Sequence, residues 1–139
     1  MRVMVLVKAN EDSEVGAPPP EGTFEAMTAF NEELVKAGVM LAGEGLAASS
    51  EGKRVRFDGK RPTVIDGPFA ETKELVAGYW VWEVASMEEA VEWLKRAPFQ
   101  DTEVEIRRVA GLEDFGDAVT PEVREAEQRM REQIESRNG

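Results

Sequence analysis

Alternating apolar and polar positions predict strands near the two ends of the first 110 residues. Residues 2–8 are rich in Val, Leu and Met, with apolar side chains on both faces of an extended segment. Residues 103–109 alternate cleanly, with Val104 and Ile106 on the same face. Because the first strand is apolar on both faces, we expect both of its faces to be covered.

Three further patterns predict the rest of the β-structure. Residues 39–46 indicate a second strand that ends in a glycine-rich segment, and residues 78–84 indicate an aromatic strand. Between them, residues 55–57 and 63–65 are extended segments separated by Asp58-Gly59. Because Asp-Gly readily adopts the positive φ of a tight turn, this pattern predicts an inserted hairpin.

Helical spacing of apolar residues predicts two helices between these strands. Thr23 is the expected cap of the first helix, and Gly38 is expected to end it in a left-handed conformation. Ser86 and Glu89 form a capping-box pattern before the second helix, which Pro98 should end. The predicted apolar stripe of the first helix is Phe24, Met27, Phe30 and Leu34.

The order of elements is strand, helix, strand, hairpin, strand, helix, strand. This order predicts a ferredoxin-like α+β fold, in which an antiparallel sheet carries both helices on one face. Met4 and Leu6, with half of the strand at 78–84, would then project from the other face. A bare apolar sheet is an association surface, so we predict a homodimer with two-fold symmetry. The alternative is that the hairpin and the C-terminal segment cover this face within one chain.

Two segments have a different character. Residues 10–22 contain consecutive prolines and two glycines, which predicts an exposed loop. Residues 111–139 are rich in acidic side chains, and Thr120-Pro121 marks the start of a helix with a thin apolar stripe. We therefore expect a domain at residues 1–110 and an acidic extension at 111–139. The helix would lie against its own domain, reach a partner or remain a solvated tail.

Composition excludes several classes of function. The chain has 139 residues, a formal net charge of −11, and neither Cys nor His. Disulfides, thiolate metal sites and histidine-dependent catalytic relays are therefore excluded, and we predict neither a metal nor a cofactor. The acidic balance argues against nucleic-acid binding. No apolar run approaches the length of a membrane span and no signal peptide is recognised, so we expect a cytoplasmic protein.

Residues 66–74, which read DGPFAETKE, form the candidate site together with Gly43-Glu44-Gly45. On chemistry alone this segment is a stiff turn, because Asp66 can accept backbone hydrogen bonds and Phe69 can anchor the loop by burial. The functional alternative is that acidic and basic groups converge at a strand end. In that case Asp66 transfers a proton or forms a hydrogen bond, and Glu44 or Glu71 is its partner. Lys73 or Arg54 binds an anion, and Phe69 contacts the ligand.

The motif at 66–74, with residues 43–46 before it and Gly78-Tyr79 after it, resembles the DGPF-type branch of the YCII-related domain family. The similarity runs from the first strand to about Val109. It implies a ferredoxin-like dimeric α+β barrel from a bacterium, with a mostly unassigned role. Some relatives are proposed enzymes with a His-Asp pair in a cleft, and others are linked to extracytoplasmic-function sigma factors. This chain has no histidine, so only the aspartate carries over, as Asp66.

These observations predict a homodimer that binds a small anionic or carbonyl compound. It would either bind only, or act as an acid–base enzyme of proton transfer or elimination through Asp66. The alternative is a non-enzymatic partner module in bacterial transcription regulation.

Overall fold

The computed structural model describes residues 1–138, apart from the side chain of Lys73. It contains two compact units, Met1–Val109 and a C-terminal unit that begins at Ala110. The strands are β1 (Arg2–Lys8), β2 (Met40–Gly45), β3 (Lys53–Arg56), β4 (Thr63–Asp66), β5 (Val76–Glu83) and β6 (Val104–Arg108). The helices are α1 (Glu11–Glu14), α2 (Thr23–Lys36), α3 (Met87–Lys95) and α4 (Pro121–Asn138).

The main sheet has the strand order β2-β5-β1-β6, with every neighbouring pair antiparallel. The helices α2 and α3 provide the two connections that cross between strands of this sheet. This strand order and the antiparallel direction of neighbouring strands together define a ferredoxin-like fold. The predicted α+β ferredoxin-like class is therefore confirmed.

The core lies between the helices and one face of the sheet. Val3 pairs with Trp82 and Val5 with Trp80, so the two valines and the two indoles share that face. From α2, the ring of Phe30 meets Trp80 edge-on, with the ring centroids 5.8 Å apart. Trp82 is fully buried, and its indole N–H has no hydrogen-bond partner within the described residues.

The other face of the sheet is also apolar at its centre. Met4 pairs with Val81 and Leu6 with Tyr79, and all four side chains are half-buried. This arrangement agrees with the two-faced pattern of the first strand. The homodimer through this face stays a prediction.

The observed ends of the helices agree only in part with the ends predicted from the sequence. The Ser86 hydroxyl accepts a hydrogen bond from the Glu89 N–H at 3.1 Å, which confirms the predicted cap of α3. Gly38 has a φ of 72°, as expected for a helix stop. The prediction of Thr23 as a cap was wrong, because Gly22 precedes the helix and no side chain caps it. Phe24 is 72% exposed, so it does not belong to the buried stripe.

The segment predicted as a loop, residues 10–22, contains the short helix α1. Asn10 Oδ1 accepts from the Ser13 N–H at 2.8 Å, and Ser13 Oγ accepts from the Asn10 N–H at 2.9 Å. This reciprocal capping holds one helical turn that the nearby prolines and glycines obscured in the sequence.

The hairpin is confirmed as a separate two-stranded sheet of β3 and β4. Arg56 pairs with Thr63, so a loop of residues 57–62 joins the strands. Gly59 has the expected positive φ of 96°, but the predicted tight turn was wrong, because residues 57–62 form a longer loop between the strands.

The C-terminal unit consists of 3-10 turns at Leu112–Ala118 followed by α4. The Thr120 hydroxyl accepts from the Val123 N–H at 3.2 Å, which confirms the predicted start of the helix. Val123, Met130 and Ile134 on its apolar stripe are each about half exposed. In the described part of the chain, no helix combines the length and the apolar character needed to cross a membrane.

Candidate functional site

The turn at residues 66–69 is closely fitted to the preceding segment 49–52. The Gly67 N–H donates to the Gly52 carbonyl at 3.0 Å, and the Phe69 N–H donates to Ser49 Oγ at 3.0 Å. A Cβ atom on Gly67 would overlap the carbonyl oxygen of Ser49. Only glycine can therefore occupy this position without moving the backbone.

Ser49 also connects this turn to α1. Its hydroxyl donates to Glu14 Oε2 at 2.8 Å, and its N–H donates to the same oxygen at 3.0 Å. The Ser49 hydroxyl thus donates to a carboxylate and accepts from the Phe69 N–H. A hydroxyl with both of these partners is held in one orientation, which stabilises the turn.

Asp66 lies at the end of β4, where its side chain is 74% exposed and forms an ion pair with Lys53. The Arg54 guanidinium stacks over the ring of Phe69, 3.8 Å from the centroid. The structure therefore brings Arg54 and Phe69 together, while Asp66 is paired with a lysine that was not among the predicted site residues.

The other predicted residues lie elsewhere or outside the description. Glu71 is exposed and directly precedes the 3-10 turn Thr72–Glu74. The side chain of Lys73 lies outside the described residues. Glu44 belongs to β2, where it pairs with Tyr79 of β5. No measured contact among these residues tests the predicted site, so their roles stay predictions.

A cavity of about 240 Å³ lies on the helix-facing side of the sheet, between α2 and the adjacent ends of β2 and β5. Its walls combine apolar and aromatic side chains with one carboxamide. The lining residues are Val7, Met27, Asn31, Gly43, Glu44, Gly45, Gly78, Tyr79, Trp80 and Phe99.

Glycines on the strands help to leave this space open. Gly43 pairs with Trp80, and a Cβ atom on Gly43 would come within 2.7 Å of Trp80 Cδ1. Gly45 pairs with Gly78, and a Cβ atom on Gly45 would meet nothing within 4 Å. The absence of a side chain at Gly45 therefore leaves free volume, whereas its absence at Gly43 makes room for the indole.

Asn31 provides the polar group of the cavity wall. It lies one helical turn after Met27 on α2, so both residues lie on the same side of the helix. Its Oδ1 accepts a hydrogen bond from Trp80 Nε1 at 3.0 Å. The bond fixes both the indole and the carboxamide beside the open volume.

The side chains that enclose the cavity carry no charge. Strand alternation places the side chains of Glu44 and Tyr79 on the face away from Trp80, so these two residues line the cavity through their backbones. Within the described residues, the lining contains no Lys or Arg. The site can therefore hold an apolar body and one hydrogen-bonding group.

From the sequence, the three tryptophans were considered as the lining of an aromatic pocket, but core or interface packing was favoured for Trp80, and Asn31 was not singled out. The available signal was an amide within the apolar stripe of Met27, Phe30 and Leu34. That signal does not identify a cavity, because the partner of Asn31 is 49 residues away along the chain.

Comparison with known proteins identifies the family. The model of the YCII-related domain matches residues 1–113. The chain therefore belongs to the YCII-related domain family, as its motif indicated. The finer assignment to the DGPF-type branch stays a prediction.

Two individual proteins are similar to this chain. An uncharacterised protein of Rhizobium meliloti (strain 1021) is 29% identical over 75 residues, which are 54% of this chain and 60% of that protein. The chain thus spans 60% of the length of this curated relative. A structure of 5-chloro-2-hydroxyhydroquinone dehydrochlorinase from Burkholderia phenoliruptrix AC1100, in complex with 2,5-dihydroxybenzoquinone, matches with a TM-score of 0.40 and 18% identity. The match covers 81% of this chain and 98% of that one.

Proposed function

We propose that this member of the YCII-related domain family binds a small molecule in the cavity between α2 and the ends of β2 and β5. The observation that carries the proposal is the combination of free volume, aromatic walls and one fixed carboxamide at Asn31. Small-molecule sites are typically concave, mostly apolar and equipped with a few placed polar groups. A volume of about 240 Å³ suits a compound of one ring rather than a nucleotide.

Filling the cavity tests the proposal. Gly45→Val places a branched side chain in the open volume, where a Cβ atom meets no neighbour within 4 Å. We expect wild-type protein titrated with single-ring ketones, phenols and amides to show saturable shifts of the Trp80 indole N–H resonance. The variant should lose these shifts and keep its fold.

The matched control is Ala42→Val on the same strand. Ala42 pairs with Val81, so its side chain projects from the other face of the sheet. This variant should bind as the wild type does. Equal binding by Gly45→Val and wild type, or no saturable shift with any compound of the panel, would contradict the proposal.

Asp66 is not among the residues that line the cavity, and we propose it separately as an acid–base group for proton transfer or elimination. The support is its place in the 66–74 motif, where it forms an ion pair with Lys53. Asp66→Asn removes the carboxylate with little change in shape, and Asp58→Asn in the hairpin loop is the matched control. Binding and turnover that are unchanged in Asp66→Asn would remove Asp66 from the site.

We also propose that the protein is a homodimer through the sheet face that carries Met4, Leu6, Tyr79 and Val81. The support is the row of half-buried apolar side chains that continues across β1 and β5. Sedimentation at micromolar concentration should show a dimer, and a monomer would contradict this. No observation on the described residues favours the alternative of a partner module in transcription regulation.

A further inference from the structure

The hydrogen bond between Asn31 and Trp80 determines which end of the carboxamide is free. An indole N–H can only donate, so the atom 3.0 Å from Trp80 Nε1 must be the oxygen of Asn31. The Nδ2 amino group, with its two donors, is then the other end of a half-buried side chain that lines the cavity. Within residues 1–138 as described, no group accepts a hydrogen bond from this nitrogen.

The surrounding walls restrict what can meet these donors. Trp80 and Phe99 lie edge-on with their ring centroids 5.9 Å apart, and Met27 and Val7 add to the apolar walls of a cavity that is partly open to solvent. A cavity of roughly 150 Å³ with apolar walls is enough for benzene. The volume of about 240 Å³ here therefore admits one ring with a small substituent.

Charge further narrows the ligand class. The described lining has no cationic side chain, and the whole chain has a formal net charge of −11. An anion entering this partly open cavity would lose part of its hydration without gaining an opposite charge. A neutral oxygen acceptor loses less on entry and gains the Asn31 donors.

We infer that the cavity selects a compact, uncharged, ring-sized molecule whose carbonyl oxygen accepts a hydrogen bond from Asn31 Nδ2. This inference rests on the proposed function and decides between the two ligand types that the sequence left open. It assigns specificity to a residue outside the 66–74 motif.

A matched pair of probes measures this selection. Acetophenone and α-methylstyrene have nearly the same shape, but only the ketone has an acceptor oxygen. We expect wild-type protein to bind acetophenone about 3- to 10-fold more tightly, as one neutral hydrogen bond contributes. Both affinities come from titration of the Trp80 indole resonance. Benzoate should bind more weakly than acetophenone, and a tighter affinity for benzoate would overturn the inference.

Asn31→Asp isolates the free donors. The substituted carboxylate still accepts from Trp80 Nε1 but has no N–H to offer the ligand. At pH 8 the preference for acetophenone over α-methylstyrene should fall to about 1 or below. Asn31→Leu, which removes both ends of the amide, should give a ratio of about 1. Because the ratio compares two ligands in one protein, a change of cavity shape largely cancels.

The failure of this inference is distinguishable from the failure of the proposed function. If both Asn31 variants keep the wild-type preference while Gly45→Val abolishes binding, the cavity is the site but Asn31 does not select the ligand. If Gly45→Val binds both probes normally, the cavity is not the site, and the proposed function and the inference are both wrong.

Discussion

The turn at residues 66–69 and the cavity beside Trp80 both depend on glycine, for opposite reasons. At the turn, Gly67 lies directly against the Ser49 carbonyl, so there is no room for a side chain. In the cavity, Gly45 faces empty space, so a side chain would have room. The first glycine permits close packing, and the second leaves a volume that a ligand can occupy.

The two glycines distinguish the turn at residues 66–69, which is conspicuous in the sequence, from the cavity, which has room for a ligand. The DGPF turn carries the family resemblance, and its contacts with Ser49, Gly52 and Arg54 explain Gly67 and Phe69 by structure alone. The cavity has no sequence motif, but it combines open volume with unused donors. Under the proposed function, the short motif marks the family, and the ligand is recognised in the cavity of the same unit.

Gly67→Ala should have the largest effect of the variants that test this contrast. The added methyl group must displace the backbone of Ser49, so we expect the free energy of unfolding to fall by about 3 kcal/mol. Gly45→Ala should cost nothing measurable, because its Cβ atom meets no neighbour and the φ of Gly45 is not positive. Urea unfolding of both variants gives the comparison. Equal losses would show that the two glycines do not differ in the way described.

Trp80→Phe and Trp82→Phe test whether Asn31 holds the cavity wall. Trp80→Phe loses the hydrogen bond to Asn31, whereas Trp82→Phe removes an N–H that has no partner within the described residues. We expect Trp80→Phe to be the more destabilising by about 1 kcal/mol, although Trp82 is the more deeply buried. Denaturant unfolding at one pH measures both. The opposite order would mean that the indole of Trp80 is held by packing alone.

The smallest expected effect concerns the carboxylate of Glu105 on β6, which belongs neither to the turn nor to the cavity lining. Hydrogen bonds from Lys8 and then from Arg107 lower the pKa of the Glu105 carboxyl below its ordinary value of 4.5. Because the pKa is lower in the folded state, this stabilisation is present above about pH 4.5 and is lost as the pH falls through the lowered value.

Glu105→Gln should therefore flatten the acid limb of the stability curve slightly, with exposed Glu103→Gln as the control. Unfolding midpoints measured from above pH 4.5 downward through the acid limb give the difference. An acid limb identical to that of the wild type would contradict the assigned role of Glu105.

Two predictions from the sequence, for Phe24 and for the loop at residues 10–22, were wrong for local reasons. Phe24 has the spacing of a buried stripe but lies at the first turn of α2, where it is 72% exposed. Spacing tells which side of a helix a residue lies on, but not how far along the helix the neighbouring sheet extends. The short helix α1 was missed because its capping pair, Asn10 and Ser13, lies beside a proline-rich segment that reads as a loop.

The sequence alone determined the ferredoxin-like order of elements, the cap of α3, the hairpin and the family, because each depends on residues close together in the chain. Alternation, helical spacing and turn chemistry act over a few residues, so they can be read without coordinates. Only the tertiary structure decided that Gly67 is packed against Ser49, that Gly45 borders a cavity and that Asn31 meets Trp80. The two contacts join residues that are 18 and 49 positions apart, and the cavity depends on empty space. No local pattern encodes such distances.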